Sequence, residues 1–270
     1  MDFGIRRLLI VAVSILVVML VVGLIPACAR SSTPNTEPEE DGGVKFVAHR
    51  GYSKRYLGNT EAAFTAAAEL GFYGIETDIR KTKDGYYVCN HDATVEYADG
   101  TEKTISSTKK STLLSKPLKN DTNDKEAYLC TFETYLQICK AGNKVAVIEF
   151  KDYFDEDEIE SILSIIDAEY DRKKVSFISF YYPPLSLVKK ADPTIPLQYL
   201  SQTENDNVFA RCLTDGVNID IKYTLLTQEL VKTFHDARLT VNVWTVNDAA
   251  TLEKATLYGA DYITTDVYYE

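Results

Sequence analysis

The sequence predicts an α/β fold, a single (β/α)8 barrel of the TIM type, and two observations favour it. From Val44 onward, short runs rich in β-branched residues alternate with amphipathic stretches, which is the pattern of repeated βα units around a parallel sheet. The 270 residues also leave enough chain for a barrel after an N-terminal segment that does not look globular. The hydrophobic fraction of 45% and the charged fraction of 26% are those of an ordinary folded protein.

Eight runs are predicted to form the barrel strands because they are short and rich in strand-forming residues. They are Lys45–His49, Gly74–Ile79, Val145–Lys151, Val175–Phe180, Leu197–Leu200, Val217–Ile221, Thr240–Thr245 and Tyr262–Thr265. Helices are predicted between them. They include Thr60–Leu70, Thr131–Ala141, Asp157–Tyr170, Gln228–Ala237 and Ala249–Tyr258. Either Asn59 or Thr60 can cap the first of these helices, and Asp248 can cap the last.

The alternation is broken between the second strand and the following helix, where Lys81–Cys130 shows no strand-helix rhythm. We expect a small insertion there, with a tight turn at Asp84-Gly85 and an extra strand at Tyr86–Cys89. The sequence ends at Glu270, a few residues after the eighth strand. We therefore expect the eighth outer helix to be missing.

The N-terminal segment is predicted to direct export. Two arginines precede an apolar run, Leu8–Leu24, and the order is that of a signal segment. The next residues, Ile25-Pro26-Ala27-Cys28, resemble a bacterial lipobox, in which the cysteine is lipidated. An uncleaved membrane helix and a cleaved signal with release are the alternatives. We expect an extracytoplasmic, membrane-tethered protein with residues 1–28 as the signal or anchor segment.

Residues 29–43 are predicted to be a flexible linker because they are rich in Ser, Thr, Pro, Glu and Gly. Residues 44–270 form the predicted barrel domain. The formal net charge of -11 argues against a nucleic-acid partner, which requires a basic face. The cysteines form no CxxC pair, so a zinc or redox motif has little support.

Candidate site residues lie at the C-terminal ends of the predicted strands, where barrel enzymes place their catalytic groups. Glu76 and Asp78 are two residues apart on one strand, so both carboxylates point to the same side. Glu149, at the end of the next barrel strand, can supply a third oxygen ligand. Buried carboxylates need compensation, and a hard divalent cation prefers oxygen ligands. The pattern predicts one divalent metal ion, Mg²⁺ or Ca²⁺.

Basic and imidazole groups accompany these acids. His49 and Arg50 end the first strand, Lys151 lies two residues after Glu149, and His91 follows the turn of the insertion. Such groups can neutralise a phosphate and transfer protons. A lone strand-end carboxylate or histidine is more often structural, and we expect that of His235, which lies on a predicted helix. Trp244 ends the seventh strand and is assigned to the substrate pocket, with capping of the core as the alternative.

Several short motifs occur in the order found in glycerophosphodiester phosphodiesterases, which the chain resembles over nearly all of Val44–Asp266. The matching segments are His49-Arg50-Gly51, Asn59-Thr60, Ala63-Phe64, Gly71, Ile75–Asp78, Thr82–Gly85, His91-Asp92, Thr131–Glu133, Ile148–Lys151, Val243–Asn247 and Gly259–Asp266. One departure is that Leu57-Gly58-Asn59-Thr60 stands where the family carries Pro-Glu-Asn-Thr. We expect this change to alter the loop beside the site, and with it substrate choice.

The resemblance implies hydrolysis of glycerophosphodiesters to sn-glycerol 3-phosphate and an alcohol, with the metal held by Glu76, Asp78 and Glu149. It implies that His49 and His91 are the paired catalytic histidines, and leaves open which is the acid and which the base. Arg50 and Lys151 would bind the substrate phosphate. The alternatives are a lysophospholipase D, a teichoic-acid-type hydrolase, or a barrel that binds glycerophosphoryl groups without turnover.

Overall fold

The computed structural model describes residues 43–122 and 126–269. The strands are β1 Lys45–Ala48, β2 Gly74–Lys81, β3 Tyr87–Cys89, β4 Thr94–Glu96, β5 Glu102–Thr104, β6 Cys130–Thr131, β7 Val145–Phe150, β8 Val175–Ser179, β9 Leu197–Ser201, β10 Asn218–Lys222, β11 Val241–Trp244 and β12 Tyr262–Thr265. The α-helices are α1 Glu61–Glu69, α2 Lys110–Leu113, α3 Phe132–Ala141, α4 Glu156–Glu169, α5 Tyr182–Ala191, α6 Asp206–Asp215, α7 Gln228–Asp236 and α8 Ala249–Leu257.

Eight of these strands form a closed parallel barrel, as the sequence predicted. They follow one another as β1, β2, β7, β8, β9, β10, β11 and β12, and β12 pairs with β1 to close the ring. The predicted strands are all present, with small shifts at their ends. Helices lie between successive barrel strands, and α5 and α6 add to those named from the sequence.

Two layers of apolar side chains hold the barrel together. An inner cluster fills the barrel and contains Val47, Val147, Ile178 and Leu200. A larger outer cluster lies between the strands and the helices. Strand side chains alternate between the two faces, so each strand contributes to both layers.

The structure decides which of Asn59 and Thr60 is the N-cap of α1. Thr60 is the cap, because its side chain accepts a hydrogen bond from the Ala63 backbone N–H. Asn59 has a positive φ of 61° and turns its side chain toward β2 instead. Asp248 caps α8 as predicted, accepting from the Thr251 N–H at 2.9 Å.

The insertion after β2 is a small folded lobe. β3 pairs antiparallel with both β2 and β6, and β4 and β5 form a separate hairpin. The predicted turn and extra strand are therefore present. The lobe has its own apolar cluster, made of Val88, Val95, Tyr97, Ile105, Leu113, Leu118 and Leu129. This cluster explains how a polar, turn-rich segment keeps a defined position beside the barrel.

In the described part of the chain, no helix follows β12. Tyrosines cover the outer side of β1 in that region. The Tyr268 ring lies 5.2 Å from that of Phe72, and the Tyr269 ring lies 5.7 Å from that of Phe46, measured between centroids. The Gly71 N–H also donates to the Tyr268 hydroxyl at 3.3 Å.

Tyr135 provides a test of the packing between α3 and the barrel. Its buried hydroxyl donates to the Ile75 carbonyl at 2.7 Å, and its ring lies 4.9 Å from that of Phe64. We expect Tyr135→Phe to lower the free energy of unfolding by about 1–2 kcal/mol, because a buried acceptor loses its donor. Urea denaturation measures the change. Tyr128→Phe, at an exposed position, is the control, and an equal loss from it would contradict this account.

The predicted N-terminal segments lie almost entirely outside the described residues. This applies to the apolar run Leu8–Leu24, to Cys28 and to the linker up to residue 42. Among the residues that are described, none of the helices is long and apolar enough to cross a bilayer.

Candidate active site

The predicted site residues come together at the C-terminal ends of the barrel strands. A cavity of about 290 Å³ opens there, and its lining includes His49, Arg50, Glu76, His91, Glu149, Lys151 and Trp244. Asp78 lies beside these residues, 1% exposed, and forms an ion pair with Arg50. A larger groove of about 710 Å³ beside α1 lacks lysine, arginine and histidine in its lining, so it is less suited to a phosphate.

Glu76, Asp78 and Glu149 form a compact acidic cluster. Glu76 and Asp78 lie two residues apart on β2, so they share one face of the strand. Asp78 is in register with Glu149 on β7. Each offers a carboxylate oxygen, and these oxygens all lie within 4.8 Å of one another. The three side chains are buried. The i, i+2 spacing and the parallel register therefore produce the cluster that the sequence predicted.

Two cations and an amide hold this cluster in place. Lys151 Nζ lies 2.8 Å from Glu149 Oε1 and 3.5 Å from Asp78 Oδ1, and Arg50 Nε lies 3.3 Å from Asp78 Oδ2. The Arg50 backbone N–H donates to Glu76 Oε2 at 2.7 Å. Asn59 donates from Nδ2 to Asp78 Oδ2 at 2.7 Å, while its Oδ1 accepts from the Asp78 N–H at 3.3 Å. Asn59 is thus a site residue, whereas the sequence indicated only a possible helix cap and a match to a family motif at this position.

Burial and the charges around them give the three acids of the cluster different pKa values. Burial raises the pKa of Glu76 well above its usual range, and the charges of Asp78 and Glu149 raise it further. Burial, with the charge of Asp78, raises the pKa of Glu149 to about 7. Burial alone would also raise the pKa of Asp78, but the charges of Arg50 and Lys151 and the hydrogen bond from Asn59 lower it overall. Without a cation, this site favours protonated glutamates around one ionised aspartate.

The cluster fits a hard divalent cation. Asp78 Oδ1 is buried and accepts no hydrogen bond from residues 43–122 or 126–269, so it has unused capacity for a ligand. When all three carboxylates are ionised, as cation binding requires, the charges of Arg50 and Lys151 leave a single negative charge. A divalent cation would reverse this sign, which suits an anionic phosphodiester. The donors are carboxylate oxygens, which Mg²⁺ and Ca²⁺ both accept.

The pKa shifts predict a pH-dependent stability of the metal-free protein. The folded-state pKa of Glu149 is raised from 4.5 to about 7, so the folded chain holds a proton that the unfolded chain releases. This contribution to stability is full below pH 4.5 and is lost as pH rises to about 7. We expect Mg²⁺ or Ca²⁺ to raise the Tm increasingly over that window.

Differential scanning calorimetry with and without chelator measures this effect. Glu149→Gln removes the titrating group and should flatten the dependence. A metal-free Tm that rises across the window in the native chain would contradict the prediction.

His49 is held by a carboxylate that the sequence reading did not assign to the site. His49 Nδ1 lies 2.7 Å from Asp266 Oδ1. Asp266 also accepts from Ser53 Oγ at 2.8 Å and from Asn247 Nδ2 at 2.6 Å. Burial tends to raise the pKa of Asp266, but the hydrogen bonds from His49, Ser53 and Asn247 lower it to about 2. Asp266 is therefore ionised and holds the His49 ring through Nδ1.

His91 reaches the cavity from the insertion. Arg80 anchors it by donating from Nε and Nη2 to the His91 carbonyl at 3.0 and 2.6 Å, and by an ion pair with Asp152 at 2.5 Å. His91 Nδ1 lies 2.8 Å from Asp92 Oδ1. Burial and the charge of Arg50 lower the pKa of His91, so the ring is neutral near pH 7.

Apolar side chains form another part of the cavity wall. Trp244 and Phe180 make an edge-to-face contact with ring centroids 5.7 Å apart, and Ile178 and Leu200 complete this wall. Trp244 therefore lines the cavity as expected. His235, by contrast, lies on α7, where its Nε2 contacts Asp261 Oδ2 at 2.8 Å, and it does not line this cavity.

Gly58, which stands where the family pattern has Glu, lies against Arg50. A Cβ at this position would be 3.0 Å from Arg50 Cβ and 3.5 Å from Ser53 Cβ. Gly58 also lines a second cavity of about 360 Å³, with His49, Lys54 and Asp266. Gly58 therefore lies in the loop beside the site, and the effect of this departure on substrate choice stays a prediction.

Comparison with known proteins agrees with this geometry. The model of the glycerophosphoryl diester phosphodiesterase family matches residues 49–269. The chain belongs to this family. A glycerophosphodiester phosphodiesterase from Caldanaerobacter subterraneus subsp. tengcongensis is 30% identical over 232 residues, covering 82% of this chain and 93% of that relative. The chain is therefore a phosphoric diester hydrolase.

Solved structures of the glycerophosphodiester phosphodiesterase family share the barrel. The enzyme from Thermotoga maritima superposes with a TM-score of 0.67 at 26% identity, covering 83% of this chain and 95% of that one. An Oleispira antarctica phosphodiesterase, solved in complex with the product sn-glycerol-3-phosphate, gives a TM-score of 0.76 at 20% identity, covering 82% and 92%. At that identity the second likeness concerns the fold.

Proposed function

We propose that this chain hydrolyses glycerophosphodiesters to sn-glycerol 3-phosphate and an alcohol, using one divalent cation, Mg²⁺ or Ca²⁺, and two histidines. The observation that carries the proposal is the meeting of the acidic cluster with His49 and His91 at one cavity. The names of the relatives and the product bound to the Oleispira antarctica enzyme agree with this substrate class.

The chain's own groups bind the phosphate and move the protons. Arg50 and Lys151 are placed to bind phosphate oxygens. When bound at Glu76, Asp78 and Glu149, the cation would supply further neutralisation of the negative charge. One imidazole accepts the proton of the attacking oxygen, and the other donates a proton to the leaving alcohol as the phosphorus–oxygen bond breaks.

The two histidines are assigned different roles. His91 has a lowered pKa and is neutral near pH 7, so it suits the base. His49 is held in place by the ionised Asp266 through Nδ1, and it is assigned the remaining role of the acid.

Product analysis tests the function directly. The fragment Val44–Glu270 is incubated with glycerophosphocholine and metal, and sn-glycerol 3-phosphate and choline are quantified. We expect equal amounts of both, abolished by chelator. Faster release of choline from lysophosphatidylcholine would favour a lysophospholipase D, and faster cleavage of glycerophosphate polymers would favour a teichoic-acid hydrolase. Binding without turnover would indicate a non-catalytic barrel.

We also propose that the chain is exported and tethered through lipid at Cys28, with residues 29–43 as the linker. Support comes from the signal-like order of Arg6-Arg7, the apolar run and the lipobox-like segment. Diacyl modification buries two chains, which is enough for stable anchoring.

Cys28→Ala is expected to abolish lipid labelling and to release the protein from membranes. Mass spectrometry of the mature N-terminus checks the result. Membrane association that survives the substitution would indicate an uncleaved helix. An unlipidated start near residue 28 in the native chain would indicate secretion.

A further inference from the structure

We propose that Asp220 binds a hydroxyl of the substrate's glyceryl group and so selects glycerol-containing phosphodiesters. The inference rests on the function proposed above and extends it to a specificity residue. Asp220 lies on β10, four strands around the barrel from β2, so it faces the site from the side opposite Glu76 and Asp78. Its side chain lines the same cavity as the histidines.

The fold leaves one oxygen of Asp220 without a partner. The residue is 1% exposed, and its Oδ1 accepts no hydrogen bond from the described part of the chain. Buried carboxylates normally have partners, since an unpaired buried acceptor is destabilising. Asp220 is also separate from the group of carboxylates placed to share a cation, Glu76, Asp78 and Glu149. Its free oxygen is therefore available to a donor that a ligand brings into the cavity.

The surroundings of Asp220 favour a hydroxyl on a short carbon chain. Ile178, Leu200 and Trp244 supply apolar contacts for carbon atoms, and the Trp244 Nε1–H donates to the Asp220 carbonyl at 3.3 Å, which fixes the wall. A quaternary ammonium group is disfavoured, because the Lys151 ammonium already lies 5.9 Å from the Phe180 ring centroid. If Arg50 and Lys151 hold the phosphate, the glyceryl group is the part of the substrate that carries hydroxyls on a short carbon chain.

Binding of small phosphates isolates the hydroxyl contribution. n-Propyl phosphate is sn-glycerol 3-phosphate without its two hydroxyls, so their Kd ratio, measured by calorimetry with Mg²⁺ present, reports hydroxyl recognition. We expect the native chain to prefer sn-glycerol 3-phosphate by at least roughly 10-fold. Asp220→Leu should reduce that preference to within about 2-fold while leaving the Kd of n-propyl phosphate unchanged. Asp220→Asn, which retains an acceptor oxygen, should keep most of it.

The outcomes separate this inference from the proposed function. An unchanged preference in Asp220→Leu, or equal weakening of both ligands, overturns the assignment. Selective loss of phosphocholine binding also overturns it, in favour of a headgroup site. Glycerophosphodiester turnover in the native chain is measured in parallel, so its absence contradicts the proposed function independently of the Kd ratio. The Tm of each variant confirms that it is folded.

Two cysteines face each other across the paired strands β3 and β6. Cys89 and Cys130 are direct partners in this antiparallel pair, and both belong to the outer barrel cluster. Their neighbours Val88 and Leu129 belong to the lobe cluster, so both thiols point to the same face. Antiparallel partners have Cα atoms about 4.5–5.5 Å apart, within the range of disulfides.

We infer that Cys89 and Cys130 form a disulfide when the chain folds under oxidising conditions. Both are thiols in this structure. Exchange with oxidised glutathione would transfer both thiol hydrogens, yielding one protein disulfide and two molecules of reduced glutathione. The bond would join β3 to β6 and close the lobe, two residues before His91.

Refolding the full chain with oxidised glutathione or with dithiothreitol tests this inference. We expect the oxidised sample to lose the mass of two hydrogen atoms and to give a crosslinked peptide containing Cys89 and Cys130. Its urea midpoint should rise, and Cys89→Ser or Cys130→Ser should remove the rise, whereas Cys212→Ser should not. Alkylation of both Cys89 and Cys130 after denaturation of the oxidised sample would overturn it.

Discussion

Asp78→Asn is expected to lower kcat by on the order of 10³-fold, the scale on which electrostatic groups contribute to catalysis. Asp78 is 1% exposed and contacts Arg50, Lys151 and Asn59. Loss of its charge would weaken the cation site and leave both phosphate-binding side chains without their shared carboxylate. Initial rates at saturating Mg²⁺ or Ca²⁺ measure the effect.

A matched control separates this loss from a general effect of charge. Glu96→Gln removes a carboxylate from an exposed ion pair with Lys119 in the lobe and should leave kcat unchanged. Asp78→Asn should also lose the metal-dependent rise in Tm that the native chain shows. Full activity of Asp78→Asn, or full activity of the native chain in chelator, would refute a metal-dependent mechanism.

His49→Ala and His91→Ala are each expected to lower kcat by ~10²- to 10⁴-fold, the usual contribution of a general acid or base. Each ring contacts a carboxylate through Nδ1, and both residues line the cavity. Circular dichroism checks that the variants are folded. His235→Ala is the control, because that ring contacts Asp261 outside the cavity. Equal losses from all three, or none from His49 and His91, would show that the proton-transfer groups lie elsewhere.

The part of the site that could be predicted from sequence depends on local spacing. Glu76 and Asp78 share a face because strand side chains alternate, and the strand runs themselves are short and β-branched. Glu149, Arg50 and Lys151 were assigned to the site because they lie at the C-terminal ends of predicted strands, where barrel enzymes carry their catalytic groups. His91 was a candidate because it follows the turn of the insertion, and the family resemblance paired it with His49. Spacing alone does not show how the insertion folds back on the barrel.

The contacts that were missed join distant parts of the chain. His49 and Asp266 are 217 residues apart and meet only because β12 pairs with β1. Asn59 read as a helix cap, but its positive φ turns it toward Asp78. Asp220 lies on β10 two residues after Asn218 and in register with Asn242, and no local pattern in the sequence distinguishes it as a residue of the cavity.

The lobe that carries His91 has a consequence for how activity and folding are linked. His49 is supported by the barrel, whereas His91 follows a strand that leads into a separately packed cluster. Segments with their own small core can open at lower free energy than the whole domain. Turnover then requires the barrel and the lobe to be folded at the same time. Local unfolding of the lobe would stop activity reversibly while the barrel stays native.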